Sequence, residues 1–184
     1  MHVSLDGFVS GPNNELDWAN MTDDSIGEWL IPDLQKTVDC MLVGRVLFQG
    51  FEQYWPAVPE NPQSPKELVA FARWMADTPK IVFSKTLKEV KWKNSTLAQL
   101  DPATTVRKMK HEPGGDMVIF GGASLAAYFT KHDLVDEYRI KLEPVVLGRG
   151  KSLFQDITNR VPLKITKSKV FDSGVAAICY EVIR

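Results

Sequence analysis

Three apolar runs of strand length each stop at residues suited to holding an anion. Val38-Asp39-Cys40-Met41-Leu42-Val43 stops at Gly44-Arg45. Lys80-Ile81-Val82-Phe83 stops at Ser84-Lys85-Thr86, and Asp116-Met117-Val118-Ile119-Phe120 stops at Gly121-Gly122-Ala123-Ser124. Runs of this length and composition read as buried strands. Helix-like runs alternate with them, which points to an α/β sheet rather than a bundle or a sandwich. In open α/β sheets, ligands bind outside the carboxyl ends of parallel strands, so these three stops are the first places to look for chemistry.

The helical patterns lie between the strands. Arg45 to Phe51 follows the first run directly. Ser64 and Glu67 have the spacing of a capping box with Pro65 at the first helical position, and Leu68, Phe71, Ala72 and Met75 form one apolar face behind it. Asp101-Pro102 opens a short helix to about Lys110, and Ser124 to Lys131 reads as another. Prolines at positions 56, 59, 62 and 65 recur every third residue, which predicts an extended polyproline-like surface loop. The alternative is a ligand for a proline-reading partner.

The last third is strand-rich. Glu137 to Leu142 alternates, as do Val161, Leu163 and Ile165, and Asp172-Ser173-Gly174 turns the chain into Val175 to Ile183. The expected fold is a mainly parallel mixed sheet flanked by helices, with a C-terminal antiparallel hairpin. No stretch reads as a linker, so residues 1–184 are expected to form one domain.

Composition narrows the function. Of 184 residues, 22 are Lys or Arg and 23 are Asp or Glu, a net charge of −1 with no basic field for a nucleic-acid backbone. No apolar run approaches the roughly 20 residues of a membrane span, and Met1 to Asp6 is no secretory signal. A cytoplasmic protein is expected. Cys40 and Cys179 sit alone in apolar runs and read as buried thiols, and the three histidines (His2, His111, His132) have no ligand spacing, so no structural zinc is expected.

Gly121-Gly122 lets backbone N–H groups approach an anion at a helix start, as a pyrophosphate requires. A tight turn capped by Ser124 is the plainer alternative. Ser84, Lys85 and Thr86 offer two hydroxyls and an ammonium, a set suited to the 2′-phosphate of NADPH. Gly44-Arg45 adds a second cation and another helix start.

The order of these elements resembles the C-terminal reductase domain of bacterial riboflavin biosynthesis and its stand-alone relatives, which share the dihydrofolate-reductase fold. The resemblance rests on Ser4-Leu5-Asp6-Gly7-Phe8, Leu42-Val43-Gly44-Arg45, Pro79 to Leu87, Ile119 to Leu125, Leu134-Val135-Asp136-Glu137 and Pro144 to Phe154. It implies that Gly121, Gly122, Ala123, Ser124 and Leu125 cradle the NADPH pyrophosphate. It also implies that Gly44, Arg45 and Ser84 to Thr86 hold the 2′-phosphate side. The implied activity is hydride transfer to a pterin-like or pyrimidine-like ring, as in a 5-amino-6-(5-phosphoribosylamino)uracil reductase or a dihydrofolate reductase, and the implied assembly is a homodimer formed partly through the final hairpin. Where dihydrofolate reductases carry a threonine two residues after the arginine, this chain has Leu47.

On the substrate side, Asp6 and Trp18 are the candidates. Asp6 equally suits an Asp-Gly turn that bonds its own backbone. Tyr54 and Trp55 are further candidates for stacking, and Asp23, Asp24 and Glu28 for a pterin-binding carboxylate. Lys141, Glu143 and Arg149 either line a pocket or face water. No catalytic residue is assigned, and a non-catalytic nucleotide- or pterin-binding module on the same fold is the alternative function.

Overall fold

The computed structural model describes residues 1–20, 31–120 and 122–184. In chain order the elements are β1 (His2–Ser4), β2 (Phe8–Ser10), α1 (Ile31–Thr37), β3 (Val38–Gly44), α2 (Arg45–Tyr54), α3 (Lys66–Asp77), β4 (Lys80–Phe83), β5 (Ser95–Leu97) and α4 (Pro102–Lys110). Then come β6 (Asp116–Val118), α5 (Ala123–Lys131), β7 (Glu137–Glu143), β8 (Lys151–Ser152), β9 (Leu163–Val170) and β10 (Ala176–Val182). They group into two compact units, one of Ile31–Gly122 and one of Met1–Leu30 with Ala123–Arg184.

The Ile31–Gly122 unit holds a four-stranded sheet in the order β5-β4-β3-β6, every pairing parallel. The run Val38–Gly44 is buried at every position except Asp39 and the terminal Gly44. Met41, Val43 and Val82 join Phe48 of α2, Met75 of α3 and Trp92 in one core. Aromatic rings extend it: Phe71 stacks on Trp74, and Phe120 meets both edge-on. Asp101 caps α4 as its sequence suggests, accepting from Thr104 N–H at 3.1 Å.

Two local readings are corrected here. The proline segment is not extended. Val58, Asn61 and Ser64 donate in turn to the carbonyls of Trp55, Val58 and Asn61, whereas a polyproline helix has no internal hydrogen bonds. Pro56, Pro59 and Pro62 each occupy the second position of a four-residue turn, where a fixed φ is favourable. The three-residue period thus encodes a chain of turns. Ser64 is also no helix cap. The last of these turns closes on it, Pro65 stays extended as the residue flanking α3, and no side chain caps the helix. Glu67 is then one position too early for a capping box.

The far end of α3 is closed by a buried cation. Lys80, 1% exposed, donates from Nζ to the carbonyls of Met75 (2.7 Å), Ala76 (3.2 Å) and Thr78 (2.7 Å) and lies 4.3 Å from the Trp92 ring centre. It satisfies helix-terminal carbonyls that would otherwise be buried without donors.

The other unit holds a sheet in the order β1-β7-β10-β9, with β1 and β7 parallel and the rest antiparallel. The expected C-terminal hairpin is β9–β10, turned at Gly174 with φ +84°. A short antiparallel β2–β8 ladder adjoins the core of Val3, Val9, Ala123, Ala126 and Leu153. Within this sheet β9 is an outer strand, exposed at seven of its eight positions. Its lysines, Lys164, Lys167 and Lys169, are of the kind that discourage uncontrolled edge pairing.

The segment Ser4-Leu5-Asp6-Gly7-Phe8 forms the turn between β1 and β2. Ser4 Oγ donates to Asp6 Oδ1 at 2.7 Å and accepts from Phe8 N–H at 2.9 Å. Gly7 takes φ +87°, a conformation costly for any residue with a Cβ. The Asp6 carboxylate also accepts from Leu147 N–H (3.1 Å) and Gly148 N–H (2.7 Å), tying the loop after β7 to this turn.

Two outcomes test these assignments. Lys80→Met keeps the apolar volume but removes three donors, and is expected to cost about 2–4 kcal/mol in chemical denaturation. The Ser4 hydroxyl, then the Leu147 and Gly148 amides, hold the Asp6 carboxyl below its usual pKa. Its contribution is therefore complete above the ordinary aspartate range and is lost as pH falls through the depressed folded-state value. Hydrogen exchange at the Leu147 and Gly148 amides should accelerate in Asp6→Asn, and in the native chain on acidification.

Candidate functional site

The carboxyl edge of the parallel sheet gathers most of the anticipated phosphate-binding residues. Gly44 ends β3 in register with Phe83 of β4, so Arg45 and Ser84 leave adjacent strands at the same level. On the other side of β3, β6 pairs as far as Val118 opposite Met41, and the chain runs on through Phe120 toward Gly122. From β3 the chain proceeds outward through β4 to β5, then returns through α4 to β6 on the opposite side of β3. The strand order therefore reverses between β3 and β6, the position where α/β sheets open a ligand crevice.

Each residue at this edge has a definable chemistry. The N-terminus of α2 has Gly44 before it and no side-chain cap, leaving its first amides for an anion. Arg45 is exposed and donates to Gln49 at 3.2 Å. Leu47 packs against the core, so the hydroxyl found there in dihydrofolate reductases has no equivalent in this turn. Ser84 Oγ accepts from Thr86 N–H (3.1 Å) and Leu87 N–H (2.9 Å), which shapes the loop and leaves its O–H to donate outward. Lys85 and Thr86 are exposed.

Gly122 has φ +81° and open space where a Cβ would stand, so it combines the conformation glycine favours with room for close backbone approach. Ala123, Ser124 and Leu125 form the first turn of α5, with Ala123 buried and Ser124 exposed. Gly121, Asp23, Asp24 and Glu28 lie outside the described residues.

The substrate-side candidates fall in the other unit. Asp6 spends its carboxylate on the turn described above. Trp18 is partly buried, its indole N–H donating to Glu15 O at 3.2 Å. Arg149 is exposed in the loop after β7. Trp55, by contrast, packs edge-on against Phe51 and Phe71 at the rim of the core, with the exposed Tyr54 ring beside it. An apolar recess of about 180 Å³ sits at the amino end of β7, lined by Thr130, Tyr138, Phe154, Ile157, Val161 and Leu163. None of these side chains is charged, so the recess does not suit a phosphate.

One cluster escaped the sequence reading. Lys141 and Glu143 do not face water; they are 2% and 1% exposed. Glu143 Oε1 pairs with His2 Nδ1 at 2.7 Å, and its Oε2 accepts from Asn20 N–H at 3.3 Å. Lys141 Nζ donates to Asn20 O at 2.9 Å and lies 3.9 Å from Glu143. A signal was present: Glu137, Arg139, Lys141 and Glu143 alternate with Tyr138, Ile140 and Leu142, so one whole face of β7 is charged. Elsewhere the thiols are buried, and burial pushes Cys40 up to about 11, away from nucleophilic reactivity.

Comparison with known proteins agrees with this architecture. The chain is 39% identical over 178 residues to the uncharacterized protein YyaP of Bacillus subtilis (strain 168), covering 97% of this chain and 90% of that one. A Shewanella sp. PV-4 protein ascribed to riboflavin biosynthesis superposes with a TM-score of 0.71 at 23% identity, over 100% of this chain and 97% of the other. A dihydrofolate reductase from Enterococcus faecalis, solved with NADP(H), superposes at 0.56 with 14% identity, over 100% and 94% of the two chains. The fold is thus dihydrofolate-reductase-like, and among the described residues no helix is long and apolar enough to cross a membrane. With the RibD C-terminal domain profile matching residues 1–177, both units included, the chain belongs to the RibD C-terminal domain family.

Proposed function

We propose that this protein is an NADPH-dependent oxidoreductase that passes hydride to a small pterin-like or pyrimidine-like heterocycle. The observation that carries the reading is the meeting of Gly44-Arg45, Ser84-Lys85-Thr86 and the chain leading to Gly122 at the carboxyl ends of three adjacent parallel strands. Gly122 and the first turn of α5 would hold the pyrophosphate. Arg45, the Ser84 hydroxyl, Lys85 and Thr86 would hold the 2′-phosphate, two cations and two hydroxyls answering one dianion. When bound, the cofactor supplies the hydride, and the protein supplies position and charge. In this reading the chain works as one cytoplasmic domain and as a homodimer. The exposed apolar side chains of Ile165 and Val170 on β9 support a dimer contact made through side chains rather than through edge pairing.

A second reading, a nucleotide- or pterin-binding module without turnover, is favoured by Leu47 and by an Asp6 carboxylate engaged with the backbone of the loop after β7. It expects binding of such ligands with no oxidation of NADPH by any of them.

Quenching of the five tryptophans on titration with NADPH and, separately, NADH tests the cofactor assignment. NADPH should bind much the tighter. Arg45→Ala should weaken NADPH by about tenfold or more while leaving NADH unchanged, the loss of one charged contact worth about 1.5–3 kcal/mol. Absence of binding by either cofactor removes the reading. Light scattering at micromolar concentration checks assembly, and a monomer there removes the dimer.

A further inference from the structure

The walls of the recess at the amino end of β7 define what it can hold. Thr130 of α5, Tyr138 of β7 and Leu163 of β9 come from regular elements, while Phe154, Ile157 and Val161 come from the irregular stretch between β8 and β9. All six belong to one compact unit. The polar side-chain groups among them are two hydroxyls, and their protons can be assigned. Thr130 Oγ1 donates its single proton to Ala126 O at 2.9 Å, a carbonyl that can only accept. In the 2.8 Å bond between the two hydroxyls, Thr130 is therefore the acceptor and the Tyr138 O–H donates. Burial holds the Tyr138 phenol above its usual pKa, which keeps that proton in place. Tyr138 Oη retains acceptor capacity, and among the described residues no donor meets it. Tyr138 is only 8% exposed, so bulk water does little to satisfy it.

Size and polarity then select the guest. The recess measures about 180 Å³, and an apolar cavity of about 150 Å³ takes a benzene-sized molecule. A buried water needs about two to four polar partners, more than a single spare oxygen supplies. A carboxylate guest, like a phosphate, would find no cation in the lining. Phe154 meets Tyr138 edge-on, ring centres 5.7 Å apart and inclined by 70°, and is 45% exposed, so aromatic surface runs from the recess to solvent. Rings pack well against rings in such inclined arrangements. We propose that this recess binds a small one-ring aromatic molecule carrying a single O–H or N–H donor, a phenol or an arylamine, whose donor bonds Tyr138 Oη. The site shares no residue with the strand ends suited to phosphate, and it does not depend on the reductase reading.

The test titrates the protein with phenol and with toluene, alike in size and differing in the donor, and follows the Ile157, Val161 and Leu163 methyl groups by ¹H–¹³C NMR. Phenol should shift these methyls saturably at millimolar concentration or below. Toluene should reach the same methyls about tenfold more weakly, the worth of one hydrogen bond. Tyr138→Phe keeps the ring and leaves Thr130 bonded to Ala126, so it should fold normally and bring phenol down to the affinity of toluene. Leu163→Trp fills the recess and should abolish both titrations, with circular dichroism checking its fold. Where that variant does not fold, the native and Tyr138→Phe titrations decide the matter. Toluene that binds as tightly as phenol, or a preference for phenol that survives Tyr138→Phe, overturns the assignment. Methyls that phenol leaves unmoved overturn it as well. So do methyls that shift on dilution and ignore phenol, because a second copy of the chain then covers the recess.

Discussion

The arrangement of the candidate cofactor edge depends on β3 having neither a free face nor a free edge. Met41 and Val43 are effectively inaccessible, and the strand is paired in parallel on both sides. Buried backbone groups must find partners, so the register of β4 and β6 against β3 is tightly determined. Parallel pairing then has a geometric consequence. Every strand points the same way, so the residues that follow β3 and β4 emerge on one edge, and the chain beyond β6 heads to that edge too. Gly44-Arg45 and Ser84 are neighbours for this reason and not through any contact of their own. The aromatic packing of Phe48, Phe71, Trp74 and Trp92 stabilises that sheet from its helical side, and Lys80 closes the helix that returns the chain to β4.

The second unit is organised by a different constraint, the two faces of β7. Tyr138, Ile140 and Leu142 supply one face, while the other carries only charge. Burying Lys141 and Glu143 is expensive unless each finds partners. Asn20 provides them from the backbone, His2 from a strand at the other end of the chain, and the two charges stand within 4 Å of one another. The cluster thus ties residue 20 and β1 to β7.

Much of the fold was legible in local pattern. Val38–Gly44 was readable because a buried strand is apolar almost throughout, and α4 because Asp101-Pro102 carries its own start signal in a single turn. Readings failed where a local pattern had two physical solutions. Proline at every third residue suits an extended helix and a series of turns alike, and the choice fell to hydrogen bonds among Trp55, Val58, Asn61 and Ser64. Ser64 and Glu67 have the right spacing for a capping box, but the preceding turn ends on Ser64 and delays the helix. Asp6 was visible as a turn residue, whereas its grip on Leu147 and Gly148 was not.

The sequence by itself determined the types and order of the elements, because periodicity, glycine and proline act over a few residues. It also marked the strand ends suited to phosphate, since residue chemistry there is local. Only the tertiary structure decided which distant groups meet. His2 and Glu143 stand 141 positions apart, and no spacing rule joins them. Pairing of β1 with β7 brings them together, and burial of the carboxylate gives the contact its meaning.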